Sequence, residues 1–367
     1  MPDVLVIGGG PAGGLGGLLL ARAGVSVTIV DQHRFPRDKV CGECLSPLGI
    51  GVLRRAGVLE QLQRAGAVWM TRFCLHSMAG RSAVIRLPGP MLGISRLQMD
   101  QLLLGEAQKA GTIVRQHVRC EGMRQETMGG KVWVRLRDLE HNAVEETTAR
   151  QVLVADGRGM LLQRRPRATG DFGIKAHFAN VEGPRDAVEL FGVKGHYGGL
   201  APVEQGLWNV AFSVPGWRLK ECPDLDALFA QITRENEVLR DRMTGAWRVG
   251  GWRTAPLLRY GVPGDWPAGV IPIGNAAAAI EPIGGEGMGL ALRSAELAAV
   301  AIAGKGVDPA RLAGEFRRLW RMRRVACRLA GLVVSRPGLC ATAVAILSGS
   351  EGVGRWVMRC TGKMEVC

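Results

Sequence analysis

The chain opens on an unbroken apolar run, Val4-Leu5-Val6-Ile7, rich in β-branched side chains and closed by glycines. A run of that length ending in a turn signal predicts a strand buried on both faces. Apolar residues continue after the glycine turn to about Ala23 and predict a helix, then a second buried strand over Val25–Val30. The three elements make one βαβ unit. Further on, Met99, Leu103 and Ala107 at i, i+4 spacing predict a helix over Asp100–Ala110. Thr112–Met123 predicts a single strand. Lys131–Asp138 alternates, with Val132, Val134 and Leu136 on one face, and Gln151–Ala155 predicts another buried strand ending at Asp156-Gly157.

From about Arg165 to Pro263 the pattern changes to short mixed strands with tryptophans and prolines, and one helix is predicted over Leu225–Val238. This stretch predicts a second, substrate-facing domain on an antiparallel sheet. Val270–Gly274 returns to the βα style, and residues 306–347 read as helical with a break near Pro337. The expected fold class is α/β. A Rossmann-like, three-layer domain would be assembled from 1–68, 91–164 and 264–305. Residues 69–90 and 165–263 would form the inserted antiparallel-sheet domain, and 306–367 a helical C-terminal segment.

Composition narrows the picture a little. With 367 residues, 47% hydrophobic and 22% charged, the chain has the make-up of a globular protein of roughly two domains. The net charge of +14 is mostly arginine and scattered, without a nucleic-acid motif, so no nucleic-acid partner is expected. Nine irregularly spaced cysteines and no leader-like N-terminus point to a reduced, cytoplasmic setting without disulfides. The tail from Phe316 to Arg328 interleaves arginines with Leu319, Trp320, Met322 and Val325. Read one way, it is a basic amphipathic surface for peripheral contact with anionic lipid. The plainer reading, which the pattern favours, is a helix packed on the substrate domain with a solvated charged face.

The first chemistry-bearing motif is Gly8-x-Gly10-x-x-Gly13, with Pro11 and Ala12 inside it, placed between its strand and its helix. Gly8 suits the tight turn, Gly10 lets backbone approach a pyrophosphate, and Gly13 lets helix and strand pack closely. The helix N-terminus would present N–H groups to phosphate. Asp31, ending the second strand, could accept hydrogen bonds from ribose hydroxyls. This motif alone says dinucleotide and does not choose between NAD and FAD.

Four stretches together resemble the flavoprotein monooxygenases of the p-hydroxybenzoate hydroxylase fold, and within them the geranylgeranyl reductase-like branch. They are the N-terminal unit, Phe35-Pro36-Arg37-Asp38-Lys39-Val40-Cys41-Gly42-Glu43, Gly93-Ile94-Ser95-Arg96-Leu97-Gln98-Met99-Asp100, and Gly274-Asn275-Ala276-Ala277 through Gly284-Gly285-Glu286-Gly287-Met288-Gly289. The resemblance implies FAD as cofactor, with NAD(P)H as electron donor. It implies that Arg96 neutralises FAD phosphate and that Cys41-Gly42-Glu43 passes over the flavin. Cys120 would contact the adenine end through its backbone, and Asp156-Gly157 matches part of a second fingerprint. Asn275 stands where the family has an aspartate on the ribityl chain, and its carbonyl can still accept that bond. Gly287 and Met288 would begin a helix whose N–H groups face the flavin pyrimidine.

Three sharper readings are set aside at this level. Cys41-x-x-Cys44 lacks the further ligands of a zinc site and the helix start of a redox pair, and no metal cluster is expected. Gly285-x-Gly287-x-Gly289 lacks a surrounding βαβ unit for a second nucleotide. Gly251-Trp252-Arg253-Thr254-Ala255-Pro256 lacks the second tryptophan of the flavin-halogenase motif. Lys175, His177, Tyr197 and Gly199-Leu200-Ala201-Pro202 are substrate-side candidates, each expected to be structural more than functional. True geranylgeranyl reductases carry an aromatic-rich Trp-x-Phe-Pro at that last segment. The expectation is therefore an NAD(P)H-dependent FAD monooxygenase acting on an apolar or aromatic, polyketide- or quinone-like molecule. The alternatives are a flavin-dependent C=C reductase of prenyl chains and a non-enzymatic carrier of prenylated partners.

Overall fold

The structure, a computed structural model, describes residues 2–125, 130–157, 160–162, 167–259, 261–263, 265–304 and 306–362. In chain order the N-terminal half contains β1 (Val4–Ile7), α1 (Pro11–Arg22), β2 (Val27–Asp31), β3 (Cys44–Leu45), α2 (Pro47–Arg55), α3 (Leu59–Arg64), β4 (Val68–His76), β5 (Ser82–Gly93), α4 (Arg96–Lys109), β6 (Ile113–Gln116), β7 (Val118–Gln125), β8 (Val132–Asp138), β9 (Val144–Ala149) and β10 (Gln151–Val154). There follow β11 (Arg167–Ala179), β12 (Ala187–Val193), β13 (His196–Pro202), β14 (Trp208–Pro215), α5 (Gly216–Glu221), α6 (Leu225–Arg234), α7 (Glu237–Arg242), β15 (Trp247–Arg259) and β16 (Val270–Pro272). The C-terminal part is helical: α8 (Gly287–Ala303), α9 (Pro309–Val334), α10 (Pro337–Gly349) and α11 (Glu351–Cys360).

A five-stranded parallel sheet, ordered β16-β10-β1-β2-β6, forms the middle of three layers. Its central strands β1 and β10 are buried and largely apolar because both faces are covered, while the edge strand β6 is partly exposed. One face meets the three-stranded sheet β7-β8-β9, where Leu5, Ile7 and Val152 pack against Val132, Val134 and Leu136. The other face meets α1, α4 and α8 through Leu15, Leu18, Leu103 and Leu292. Close approach of α1 to its strand depends on Gly13, where a Cβ would lie 1.8 Å from the Gly8 carbonyl oxygen. β1 leads into α1 and β2 on one side and pairs with β10 on the other. The crevice at its C-terminal end is thus the switch point where such sheets bind ligands.

The second sheet has eight strands, β15-β11-β14-β13-β12-β4-β5-β3. It departs from a purely antiparallel expectation: β4 and β12 pair in parallel, because β4 arrives from the first half of the chain rather than through a hairpin. Helices α6 and α7 cover one face, with Phe229 against Phe178 and Phe212. Helices α9 to α11 close the other side through Val334, Cys340, Val344 and Met358.

Three element predictions are corrected. The strand expected over Thr112–Met123 is two strands in different sheets, broken where His117 adopts φ +62°. The helix expected over Leu225–Val238 is two, because the Asn236 side chain caps a new helix by accepting from Leu239 N–H. The helix read from Asp100 starts a turn earlier, with Ser95 as N-cap accepting from Gln98 N–H. The expected boundary near 164–165 lies outside the described residues.

Candidate active site

A cavity of about 1670 Å³ runs from the C-terminal edge of the parallel sheet into the eight-stranded sheet. Ligand pockets commonly measure about 300–1,000 Å³, so this one has room for a large cofactor and a second molecule. At its sheet end lie Gly8, Gly10, Pro11 and Ala12. Gly13 does not line it; that glycine serves the helix–strand contact described above. Gly10 N-caps α1 without any side-chain cap, so the first-turn N–H groups of the helix face the cavity. A Cβ on Gly10 would lie 3.4 Å from one Arg96 guanidinium nitrogen and 3.5 Å from one of Arg37.

Two arginines therefore converge on the start of α1. Arg96 is buried and bidentate on Asp100, with Nε 2.8 Å and Nη2 2.6 Å from the carboxylate oxygens, one turn along the same helix. Burial alone would push its pKa down, but Asp100 outweighs it and holds the guanidinium charged. Arg37 lies over the Phe35 ring, 3.7 Å from Asp100, and its buried Nε has no partner. Lys39 stands nearby, where a Cβ on Gly157 would come within 2.7 Å of its Nζ. Burial, then Arg96 and Arg37, push the Lys39 ammonium down to about 8. Sequence reasoning quoted Arg37 and Lys39 in a motif but gave them no role; their signal was two cations in the loop after the ribose-facing strand.

Three mutually repelling cations, an orphaned buried guanidinium nitrogen and an uncapped helix N-terminus are the donor set of a diphosphate. The remaining residues fit a dinucleotide of FAD length. Asp31 is already engaged: Oδ2 accepts from Gly9 N–H at 2.7 Å and Oδ1 from His33 N–H at 2.8 Å, which leaves limited capacity for a ribose hydroxyl. Its burial pushes its pKa up, but His33, Arg37 and these N–H groups hold it below the usual range. Cys120 and Asp156 line the cavity on the side of β7 and β10. At the far side Asn275 is exposed to the cavity, followed by Gly287 and Met288 at the start of α8. Gly289 packs against α2, where a Cβ would lie 2.4 Å from Ser46 Oγ. The glycine series there serves packing and helix entry, with no second βαβ unit around it.

Cys41, Gly42 and Glu43 form the loop between these halves. Glu43 is fully buried at φ +54°. Its carboxylate accepts from Arg96 N–H and Lys175 Nζ, both at 2.8 Å, and is 2.7 Å from His177 Nε2. Lys175 also bonds Asp38 and does not line the cavity, so it clamps the loop to β11; His177 holds the same carboxylate and also lines the cavity. The Cys41 thiol is pushed up by burial, despite Arg96, and its sulfur accepts from Glu43 N–H at 3.4 Å. Cys44 Sγ donates to the Gly42 carbonyl. The two cysteines are not joined by a disulfide, and the raised pKa of Cys41 is the opposite of what a redox pair needs.

The substrate-sheet side is apolar, with Phe73, Met91, Leu190, Leu200, Phe212 and Leu258. Among them Tyr197 donates its hydroxyl hydrogen to Glu281. Trp252 of the halogenase-like stretch lies elsewhere: it packs on Phe178 and Phe229 and donates Nε1–H to Asp226 at 2.8 Å, as a structural residue. One cluster that sequence reasoning missed is Cys74, His76 and Glu189, buried with potential ligand atoms within 4.8 Å of one another. Glu189 already bonds His76 Nε2 at 2.9 Å and Arg242 Nε at 3.1 and 3.2 Å. A fixed cation thus stands where a metal's charge would be needed.

Residues 1–182 match the FAD binding domain family. The chain is a flavoprotein of the FAD-binding, monooxygenase-like family. It is an FAD-dependent oxidoreductase. It is 28% identical over 336 residues to a menaquinone reductase of Mycolicibacterium smegmatis, covering 83% of this chain and 77% of that one. It is 25% identical over 324 residues to conditioned medium factor receptor 1 of Dictyostelium discoideum, covering 82% of this chain but only 63% of that longer protein. A geranylgeranyl bacteriochlorophyll reductase-like protein from Thermoplasma acidophilum shares the flavoprotein's fold with a TM-score of 0.78 at 20% identity, over 98% of this chain and 94% of that one.

With a diphosphate held on this cluster, FAD affinity is expected to depend on pH with a definite sign. A bound diphosphate raises the Lys39 pKa from its value of about 8 in the protein without cofactor. Below that pH the lysine is already protonated and affinity is flat. Above it, binding must take up a proton, and affinity falls by up to about tenfold per pH unit until the pKa of the complex is reached. Titration of the apoprotein with FAD between pH 7 and 10 reads this directly; in Lys39→Met the slope should disappear.

Proposed function

We propose that the flavoprotein reduces a lipophilic, quinone- or isoprenoid-like substrate, with FAD held by Gly8, Gly10, Pro11, Ala12, Arg37, Lys39 and Arg96 at its diphosphate and by Asp31, Asn275, Gly287 and Met288 along its length. The observation that carries the reading is that the likeness to menaquinone reductase runs through the substrate sheet as well as the nucleotide fold. The apolar cavity wall with one proton-bearing pair supports it. NAD(P)H is the proposed donor.

Bound FAD supplies hydride-transfer chemistry. The chain's own residues bind the substrate on the apolar wall, exclude water and hold a proton at Tyr197 Oη. Reduction of a C=C needs a proton as well as a hydride; Tyr197 would give it, and a proton taken up from water and passed along Glu281 would restore the phenol. Tyr197→Phe and Glu281→Gln are each expected to lower substrate turnover by about 10²-fold while leaving FAD content and donor-dependent flavin bleaching unchanged. Rapid-mixing absorbance of the two half-reactions separates these steps; equal loss in both would contradict the assignment.

A monooxygenase reading rests on a different feature. Gly199 and Ala201 line the cavity where the prenyl reductases carry aromatic side chains, which leaves room for a broad ring system. Ala201→Phe should then abolish turnover of a ring substrate and spare a slender chain.

A further inference from the structure

Helix α9 has two apolar faces. The inner stripe, Phe316, Trp320, Cys327, Gly331 and Val334, is buried against the body. At 3.6 residues per turn, Met322, Val325, Leu329 and Leu332 fall on the roughly opposite side. They are exposed by 69, 56, 57 and 44%. Among the described residues fifteen large hydrophobics are exposed, and eight of them lie between Met322 and Trp356, about a tenth of the chain. The uncharged helix α10 adds Leu339 and Ile346, and α11 adds Val353 and Trp356. Around this surface, residues 309–362 carry ten arginines and two glutamates. Arg318, Arg321 and Arg328, which flank the outer stripe, are exposed and have no ion pair among the described residues.

No single described helix is long and apolar enough to cross a membrane; α9 and α10 pass that test only jointly, bent by 110°. The buried inner stripe of α9 also keeps it on the protein. An apolar stripe edged by arginines, with a tryptophan at its border, is the chemistry of the anionic bilayer interface. A second, smaller cavity of about 230 Å³ lies between this face and the site. It is lined by the exposed Arg328 and Leu332 and by Tyr197, Ser213 and Glu281, which also line the large cavity.

We propose that the outer face of α9 to α11 docks on an anionic lipid surface and that a lipophilic substrate enters beside Arg328 and Leu332. The entry half of this inference rests on the redox reading above; docking does not. The plainer expectation of a merely solvated charged face leaves the exposed apolar stripe without a partner.

Vesicle flotation of the FAD-loaded full chain, without substrate, tests docking whether or not the redox reading holds. The protein should float with phosphatidylcholine vesicles containing phosphatidylglycerol and stay below with phosphatidylcholine alone. Arg318→Glu/Arg321→Glu should lose about tenfold or more of the binding, and Leu329→Ser/Trp356→Ser should lose it at every salt concentration. Retained circular dichroism and FAD content in the same samples exclude unfolding. The proposal is overturned if the wild type never floats, or if it floats equally well in the variants. It is also overturned if it sediments as a dimer that Leu329→Ser/Trp356→Ser separates without any vesicle binding, since the face would then belong to a second copy.

Discussion

Gly10→Val is expected to yield a folded, colourless protein. Gly10 adopts φ −74° and ψ −170°, extended backbone open to any residue, so the substitution should leave the thermal midpoint near the wild-type value. The new Cβ and its methyls would enter the space between the Arg37 and Arg96 guanidinium groups. Displacing a diphosphate from two such donors removes two charge-assisted hydrogen bonds, a loss of about a hundredfold or more in FAD affinity. Retained flavin absorbance after gel filtration would place the phosphates elsewhere. Gly13→Val is the contrasting variant: its Cβ would collide with the Gly8 carbonyl, so fold and cofactor should be lost together.

Glu43→Ala is expected to destabilise the whole protein. Its carboxylate joins two otherwise separate pieces: the first N–H of α4, and β11 through the buried Lys175 Nζ and the His177 ring. Without it, Lys175 keeps Asp38 alone in a site where its side chain is 0% exposed. Removing one partner of such a buried pair costs about 3–5 kcal/mol. The denaturant midpoint should fall accordingly, and FAD binding should weaken because the loop beside Arg96 is no longer anchored. A change below about 1 kcal/mol would mean that water or Asp38 replaces the carboxylate. Glu43→Gln keeps one acceptor oxygen and should fall between the two.

What the sequence revealed and what it hid follow from distance along the chain. The β1-α1-β2 unit was legible because its signals are local: a buried run, a glycine turn, and an acidic residue after the next strand. Arg96 was legible through its place in a motif; its pairing with Asp100 one turn away was not read, although both stand in the same stretch. The Glu43 hub was not, because its partners Lys175 and His177 lie more than 130 residues on. The parallel pairing of β4 with β12 has the same cause, as no turn between them fixes their direction. Lys175 and His177 were substrate-side candidates expected to be structural more than functional; both hold the loop through Glu43, and His177 also lines the cavity. Tyr197 came from the same reasoning and does face the cavity. Glu281 was missed beside it, since a lone carboxylate between two apolar runs carries no spacing signal.

The most direct test of the proposed reaction is a single anaerobic turnover analysed by mass spectrometry. The FAD-loaded protein is reduced with NAD(P)H in the absence of oxygen and mixed with a quinone bearing an unsaturated isoprenoid chain. Reduction predicts that the flavin is reoxidised without oxygen and that the product is heavier by two hydrogens. Flavin that stays reduced until oxygen is admitted, with a product heavier by one oxygen, would contradict it.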